Sequence, residues 1–118
     1  MPDKNDFQAD ILESIRKDEF YCESFDLFRE LHPALESKLR EAASRGNHKV
    51  VGNCSHILKS RLRMLGCITL GDDVEKIEKE ADALSSADLI ESVESTLDCI
   101  TGAIDQISSI LADAAERE

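Results

Sequence analysis

A histidine and two cations recur at helical spacing in one segment of the chain. Lys59 follows His56 by three residues and Arg63 follows it by seven, within the stretch NCSHILKSRLRMLG at residues 53–66. A helix turns about 100° per residue, so the three side chains share one face if this segment is helical. A neutral imidazole is a nucleophile near pH 7, and neighbouring cations favour a phosphoryl group. The spacing therefore predicts phosphoryl chemistry centred on His56.

The charge of this segment opposes that of the rest of the chain. The 118 residues carry a formal net charge of -11, yet no Asp or Glu lies between Ala42 and Gly71. The cations in that window are Arg45, Lys49, Lys59, Arg61 and Arg63. A locally positive segment in an acidic chain favours transient binding of an anion. It also weakens the alternative that His56 is an ordinary surface histidine. The overall acidity argues against nucleic acid and anionic membranes as partners.

Small residues flank the histidine on its own face. Gly52 lies one turn before His56 and Ser60 one turn after it, while Lys49 shares the same side. A glycine inside a helix costs about 1 kcal/mol relative to alanine. The compensating gain that we expect is open space around the imidazole, through which another protein can approach.

Apolar residues recur three and four apart along nearly the whole chain and predict a short N-terminal helix followed by four longer ones. The second helix is predicted to bury Phe28, Leu31, Leu35, Leu39 and Ala42, and the third to bury Val51, Cys54, Leu58, Leu62 and Leu65. His56 then points away from the core. Pro33 is predicted to kink the second helix or to divide it in two.

The connections between these helices are short. Gly46 suits a left-handed helix end, Asn47 an N-cap, Gly66 a helix stop, and the Ser85-Ser86 pair a second N-cap region. We therefore predict an all-α fold, an antiparallel up-and-down four-helix bundle with an additional short N-terminal helix. Residues 1–118 are expected to form a single domain with its bundle core at about 19–112.

Several features constrain the setting of the protein. The N-terminal residues lack the apolar run of a signal peptide, and no segment is long and apolar enough to span a membrane. Four cysteines, Cys22, Cys54, Cys67 and Cys99, lack zinc-ligand spacing and favour a reducing cytoplasm. We expect no bound metal, although a site formed by His48 and Cys54 is an alternative that the sequence leaves open.

Other polar groups are assigned to the surface. His32 and His48 have no cation cluster or small neighbours around them, and both are predicted to be surface residues. The acidic run EKIEKEAD at residues 75–82 is predicted to be a solvated helix face.

The segment around His56 resembles the histidine phosphotransfer domain of multistep two-component signalling, which is a four-helix bundle. The resemblance rests on the histidine, lysine and small residue of residues 55–60, the Leu-Gly stop of residues 65–67, and then Leu70, Val74 and the Ile77-Glu78 pair. This motif covers about 24 residues, and the helical pattern extends the resemblance over most of the chain.

The resemblance implies a role for each matched residue. His56 would be the phosphoacceptor, attacking through Nε2, and Lys59 would help to neutralise the phosphate. Ser60 stands where the family usually has glycine, which reduces access somewhat. The partners would be receiver domains of response regulators and hybrid sensor histidine kinases, and the Mg²⁺ used in transfer would lie in the receiver. Such a chain is a phosphocarrier intermediate rather than a turnover enzyme.

Three residues near the motif leave alternatives open. Arg61 stands at a usually small position and is expected toward the core side, where it must extend to solvent or pair with a carboxylate. Ile57 and Met64 flank the histidine face and either pack against a neighbouring helix or form an apolar rim for a receiver. The alternative function is a binding module or adaptor for receivers or other signalling proteins, in which His56 is unused.

Overall fold

Five helices make up the part of the chain that the structure describes. The computed structural model describes the backbone of residues 4–116 and the side chains of residues 7–115. Its helices are α1 (Lys4–Lys17), α2 (Tyr21–Ser44), α3 (His48–Met64), α4 (Ile68–Glu80) and α5 (Ser86–Glu116). No strand occurs in this range. The prediction of an all-α protein is confirmed.

The helices enclose one apolar core. The most extensive helix contact joins α3 to α4, while α2 contacts both α3 and α5, and α4 also contacts α5. α1 lies against α5 and α2, and it buries Phe7 and Ile11. Every residue predicted for the apolar side of α3 is buried, from Val51 to Leu65. Among the described helices, none combines the length and the apolar character that crossing a membrane requires.

The ends of α3 lie where the sequence indicates, and they position its histidine. Gly46 adopts a φ of 68° after α2, and the Asn47 side chain accepts a hydrogen bond of 3.2 Å from the Val50 amide. Gly66 adopts a φ of 80° after α3, and a Cβ atom there would collide with Ser14 of α1. Glycine at position 66 is therefore required both by backbone conformation and by the close approach of α1.

The buried face of α2 differs from the predicted one. Leu31 is 41% exposed, whereas His32 is 3% exposed and lies in the core between Phe28 and Leu35. Buried positions on α2 alternate at spacings of four and three, so the step from Phe28 leads to residue 32 rather than to 31. The sequence prediction placed Leu31 in the core because it is apolar, although the spacing of the buried residues places His32 there. Pro33 lies inside α2 without dividing it.

The surface prediction is therefore wrong for His32, and it is only partly right for His48. The His32 ring stacks on Phe28 with 5.0 Å between ring centroids, and neither ring nitrogen has a hydrogen-bond partner among the described residues. Burial lowers the pKa of His32, with Glu36 acting in the opposite direction and Arg61 in the same one. His48 is half-buried, and its Nδ1 contacts the Ala81 carbonyl oxygen.

Replacing His32 should change how stability depends on pH. An unfolded histidine titrates near a pKa of about 6.5, and the folded value lies lower, so unfolding takes up a proton as the pH falls through that window. The free energy of unfolding should therefore decrease between pH 7 and pH 5.5. His32→Leu should weaken this decrease and raise stability at pH 7 by about 1 kcal/mol, because two buried ring nitrogens without hydrogen bonds to described residues leave the core. Urea unfolding at several pH values measures both effects.

Phe28→Leu is the control for altered packing at the same place. It should lower stability at every pH while keeping the pH dependence, since the imidazole remains buried. An unchanged pH dependence in His32→Leu would contradict the assignment of this proton uptake to His32.

Candidate functional site

His56 lies at the solvent-facing side of α3, opposite its buried residues, as the helical spacing predicts. Its side chain is 64% exposed, whereas its sequence neighbours Cys54, Ser55 and Leu58 are buried. The ring is therefore accessible to a partner without any movement of the core.

One carboxylate of α4 holds both His56 and Lys59. The Nδ1 atom of His56 lies 2.9 Å from Oε1 of Glu78, and Nζ of Lys59 donates to Oε2 of the same carboxylate at 2.7 Å. The hydrogen bond from Lys59 lowers the pKa of Glu78, and His56 adds to this effect, so the carboxyl is ionised at neutral pH. An ionised carboxylate only accepts, so Nδ1 must be the donor. In the neutral ring, the lone pair is then on Nε2.

Arg63 is bound by two further carboxylates of α4. Its guanidinium donates to Asp72 at 2.9 Å and to Glu75 at 3.2 Å, and the bond to Asp72 is the main cause of the raised pKa of Arg63. Glu75 also lies 3.9 Å from Nζ of Lys59, whose side chain is only 13% exposed. Both cations that the sequence assigned to an incoming anion thus have carboxylate partners on α4.

These six residues form a continuous array that we call the charge ladder: His56, Lys59 and Arg63 of α3 with Asp72, Glu75 and Glu78 of α4. As the residue number falls along α3 it rises along α4, so the two helices run antiparallel. The three residues of α3 are three and four positions apart, and those of α4 are three apart. Each set therefore lies on one side of its helix, and the two sets face each other.

The acidic run at residues 75–82 is therefore not simply a solvated face, and that prediction is wrong for two of its members. Side chains of Glu75 and Glu78 are only 32% and 25% exposed, and both pair with α3. Asp72 and Glu75 are site residues that the sequence prediction missed. Their regular spacing of three residues with Glu78 indicates that the three carboxylates share one side of a helix. The sequence of α4 does not indicate that this side faces α3.

Open space lies beside His56 where the small residues were predicted to leave it. A groove there is lined by residues that include Lys49, Gly52 and Ile57, and Lys49 is exposed. A Cβ atom added to Gly52 would have nothing within 4 Å. Ser60 is exposed, and its hydroxyl donates to the His56 carbonyl oxygen at 3.2 Å, so it turns toward its own helix.

Exposed apolar side chains continue from the histidine toward the end of α3. Ile57 is 44% exposed and Met64 is 74% exposed, so neither is covered by a neighbouring helix. Leu27 and Leu31 of α2 are also exposed, and together with Arg61 and Met64 they line a shallow depression. We call Leu27, Leu31, Ile57, Arg61 and Met64 the α2–α3 face.

Arg61 is half-buried in this face, and no described carboxylate lies within ion-pair distance of it. Of the two expectations for this residue, pairing with a carboxylate is not observed among the described side chains. Its stem lies against apolar residues of the depression. Over the same residues, no group of three His, Cys, Asp or Glu side chains is arranged to hold a metal ion.

Removing the Glu78 carboxylate should change the tautomer of His56. In Glu78→Ala, the neutral ring is free to carry its proton on either nitrogen. A hydrogen bond to an exposed charged group contributes about 1 kcal/mol, so we expect the tautomer ratio to move about fivefold toward Nε2–H. Imidazole ¹⁵N chemical shifts measure this ratio. His48 is an internal control, because its Nδ1 contact with Ala81 does not involve Glu78; an unchanged His56 spectrum would show that Glu78 does not select the tautomer.

Comparisons with known proteins supply no relative from which to transfer a function. The chain matches no protein-family model, no curated protein and no solved structure. The features of this chain that bear on its function are the accessible imidazole of His56, the carboxylate that orients it and the surfaces beside it.

Proposed function

We propose that this chain is a histidine phosphotransfer protein of a phosphorelay. His56 accepts a phosphoryl group from the phospho-aspartate of one receiver domain and passes it to the aspartate of another. The observation that carries the proposal is the pairing of an exposed imidazole with Glu78 through Nδ1 at 2.9 Å. That pairing leaves Nε2, the nitrogen that points away from the carboxylate, as the nucleophile.

The transfer is a displacement at phosphorus. The lone pair of Nε2 attacks the phosphorus atom of the acyl phosphate, the bond from phosphorus to the aspartate oxygen breaks, and the electron pair leaves with the aspartate carboxylate. The ring keeps its Nδ1 proton and becomes positively charged, and the Glu78 carboxylate stabilises that charge. Donation to the next receiver is the same step in reverse, so the imidazole is regenerated unchanged.

Lys59 is the cation best placed to support this step. It follows His56 by one turn, and Glu78 holds its amine beside the ring through the second carboxylate oxygen. An ammonium has three donors, so one remains available to a phosphoryl oxygen while Glu78 stays bound. Arg63 contributes positive charge one turn further along α3. In this proposal, Mg²⁺ lies in the receiver and not in this chain.

The finer architecture belongs to the same proposal. We propose that α2, α3, α4 and α5 form an antiparallel up-and-down four-helix bundle with α1 as an additional helix. The contacts support this arrangement, because α2 meets α3, α3 meets α4, α4 meets α5, and α5 returns to α2. Such a closed ring exposes one side of α3, where His56 lies.

The proposed receiver approaches over the groove at Lys49 and Gly52 and over the α2–α3 face. Exposed Ile57, Leu31 and Met64 supply apolar contact area there, and Arg61 supplies a charge that no described carboxylate neutralises. A receiver that carries a phospho-aspartate presents negative charge at its phosphorylation site, so a positive charge in the docking face favours its approach. The proposed setting is the cytoplasm.

His56→Gln should abolish phosphoryl uptake and leave the fold intact. The side chain faces solvent, so its replacement should change the free energy of unfolding by no more than about 0.5 kcal/mol. The measurement is incorporation of labelled phosphate from phosphorylated receiver domains, with circular dichroism as the check on folding. His48→Gln should retain uptake, because His48 is not the nucleophile. Full labelling of His56→Gln would reject His56 as the phosphoacceptor, whereas absence of labelling in the original chain would leave the binding module as the remaining alternative.

Leucine at Gly52 or Ser60 should block transfer from a receiver but spare phosphorylation by phosphoramidate. The added side chain at Gly52 enters open space, and leucine favours a helix more than glycine or serine does, so both variants should fold. A receiver must bring its aspartate to Nε2 over these positions, whereas a small donor need not. Labelling each variant with both donors makes the comparison.

Gly102→Leu is the matched control for this experiment. Gly102 is an exposed glycine inside α5, and a Cβ atom there also has nothing within 4 Å. Transfer from both donors should be unchanged in this variant. If Gly52→Leu and Ser60→Leu accept phosphoryl groups from receivers at the rate of the original chain, the docking face lies elsewhere.

A further inference from the structure

We propose that Glu75 is a positioning residue that weakens the hold of His56 on a phosphoryl group, and so favours its release to the next receiver. This inference rests on the proposed function. Glu75 is the carboxylate that touches both cations of the charge ladder, with 3.9 Å to Nζ of Lys59 and 3.2 Å to the guanidinium of Arg63. It lies in the middle of the array, one turn of α4 before Glu78.

The path of Arg63 shows that packing favours this arrangement. Gly71 is buried at the start of α4, and a Cβ atom added there would come within 2.9 Å of Cγ of Arg63. The stem of Arg63 therefore lies close against the backbone of α4, and a side chain at position 71 would displace it. This contact directs the guanidinium to Asp72 and Glu75, and so along α4.

The balance of charge in the ladder then opposes a phosphoryl group. Lys59 and Arg63 face the three carboxylates of Asp72, Glu75 and Glu78, and the exposed Lys79 adds a third cation at 3.7 Å from Glu75. The cations and carboxylates cancel, so no positive charge is in excess. A phosphoryl group brings a charge of about -1.5 to -2. It must compete with Glu75 for the ammonium of Lys59, and it is repelled by the carboxylate itself.

Glu78 and Glu75 therefore have different consequences for the same histidine. Glu78 bonds to the ring and helps it to act as a nucleophile, whereas Glu75 makes no contact with His56 and acts through Lys59 and Arg63. Removing the charge of Glu75 should leave Lys59 paired only with Glu78 and Arg63 paired only with Asp72 among the described side chains, without changing the tautomer of His56. The phosphorylated state should then be more stable relative to the free one.

The experiment measures the exchange of a phosphoryl group between His56 and ammonia. In the forward direction, the bond from nitrogen to phosphorus in phosphoramidate breaks, a bond from Nε2 to phosphorus forms, and ammonia leaves. At a fixed ratio of phosphoramidate to ammonia, the ratio of phosphorylated to free His56 reports the relative stability of the two states. Glu75→Gln should raise this ratio about two- to fivefold at low ionic strength, and the gain should shrink as salt is added.

Three further variants separate this role from a purely structural one. Glu80→Gln makes the same chemical change on the same helix, at a carboxylate that forms no ion pair with a described side chain, and it should leave the ratio unchanged. In a Lys59→Ala background, Glu75→Gln should lose most of its effect, because the effect acts largely through the ammonium of Lys59. Glu75→Asp, which keeps the charge, should stay close to the original ratio.

The outcomes distinguish this inference from the function on which it rests. If the original chain is labelled on His56 but Glu75→Gln does not raise the ratio, the role of Glu75 is wrong and the proposed function stands. An equal rise in Glu80→Gln would assign the effect to net charge alone and would also overturn the inference. If neither phosphoramidate nor any phosphorylated receiver labels the original chain, both proposals fall.

Discussion

The arrangement of the site depends on the shared carboxylate of Glu78. One oxygen accepts from the imidazole of His56 and the other from the ammonium of Lys59, so a single side chain of α4 orients two side chains of α3. Because the carboxyl is ionised, it selects the ring nitrogen that carries the proton and leaves the other one available. A histidine could lie on any exposed helix, but the carboxylate that orients His56 lies on a second helix.

That pairing requires a fixed register between α3 and α4, and the short connection between them provides it. Gly66 turns the chain through a left-handed conformation, and the Tyr21 hydroxyl donates to the Leu65 carbonyl oxygen at 2.7 Å at the end of α3. A shift of one residue on either helix would rotate its side chains by about 100° and separate every pair of the charge ladder. The turn and the ladder therefore support the same packing, one through the backbone and the other through side chains.

The same geometry creates a conflict between orientation and charge. Carboxylates that fix His56 and the nearby cations also place negative charge where a phosphoryl group would arrive. For a protein that stores phosphate this would be a disadvantage, but a relay must release what it accepts. On the functional proposal made here, Glu78 serves the acceptance of the phosphoryl group and Glu75 its release. The balance between them is a property of two helices packed together, and neither helix carries it alone.

The sequence by itself determined the all-α fold, the ends of α3, its buried side and the outward direction of His56, because helix periodicity and capping are local properties. It did not place His32 in the core, since an apolar neighbour, Leu31, competed for that position. It also did not reveal that Glu75 and Glu78 pair with α3. Partners across two helices depend on which faces meet and in which register, and packing alone decides that. The tertiary structure thus shows that Lys59 and Arg63 of the basic segment are paired with carboxylates of α4.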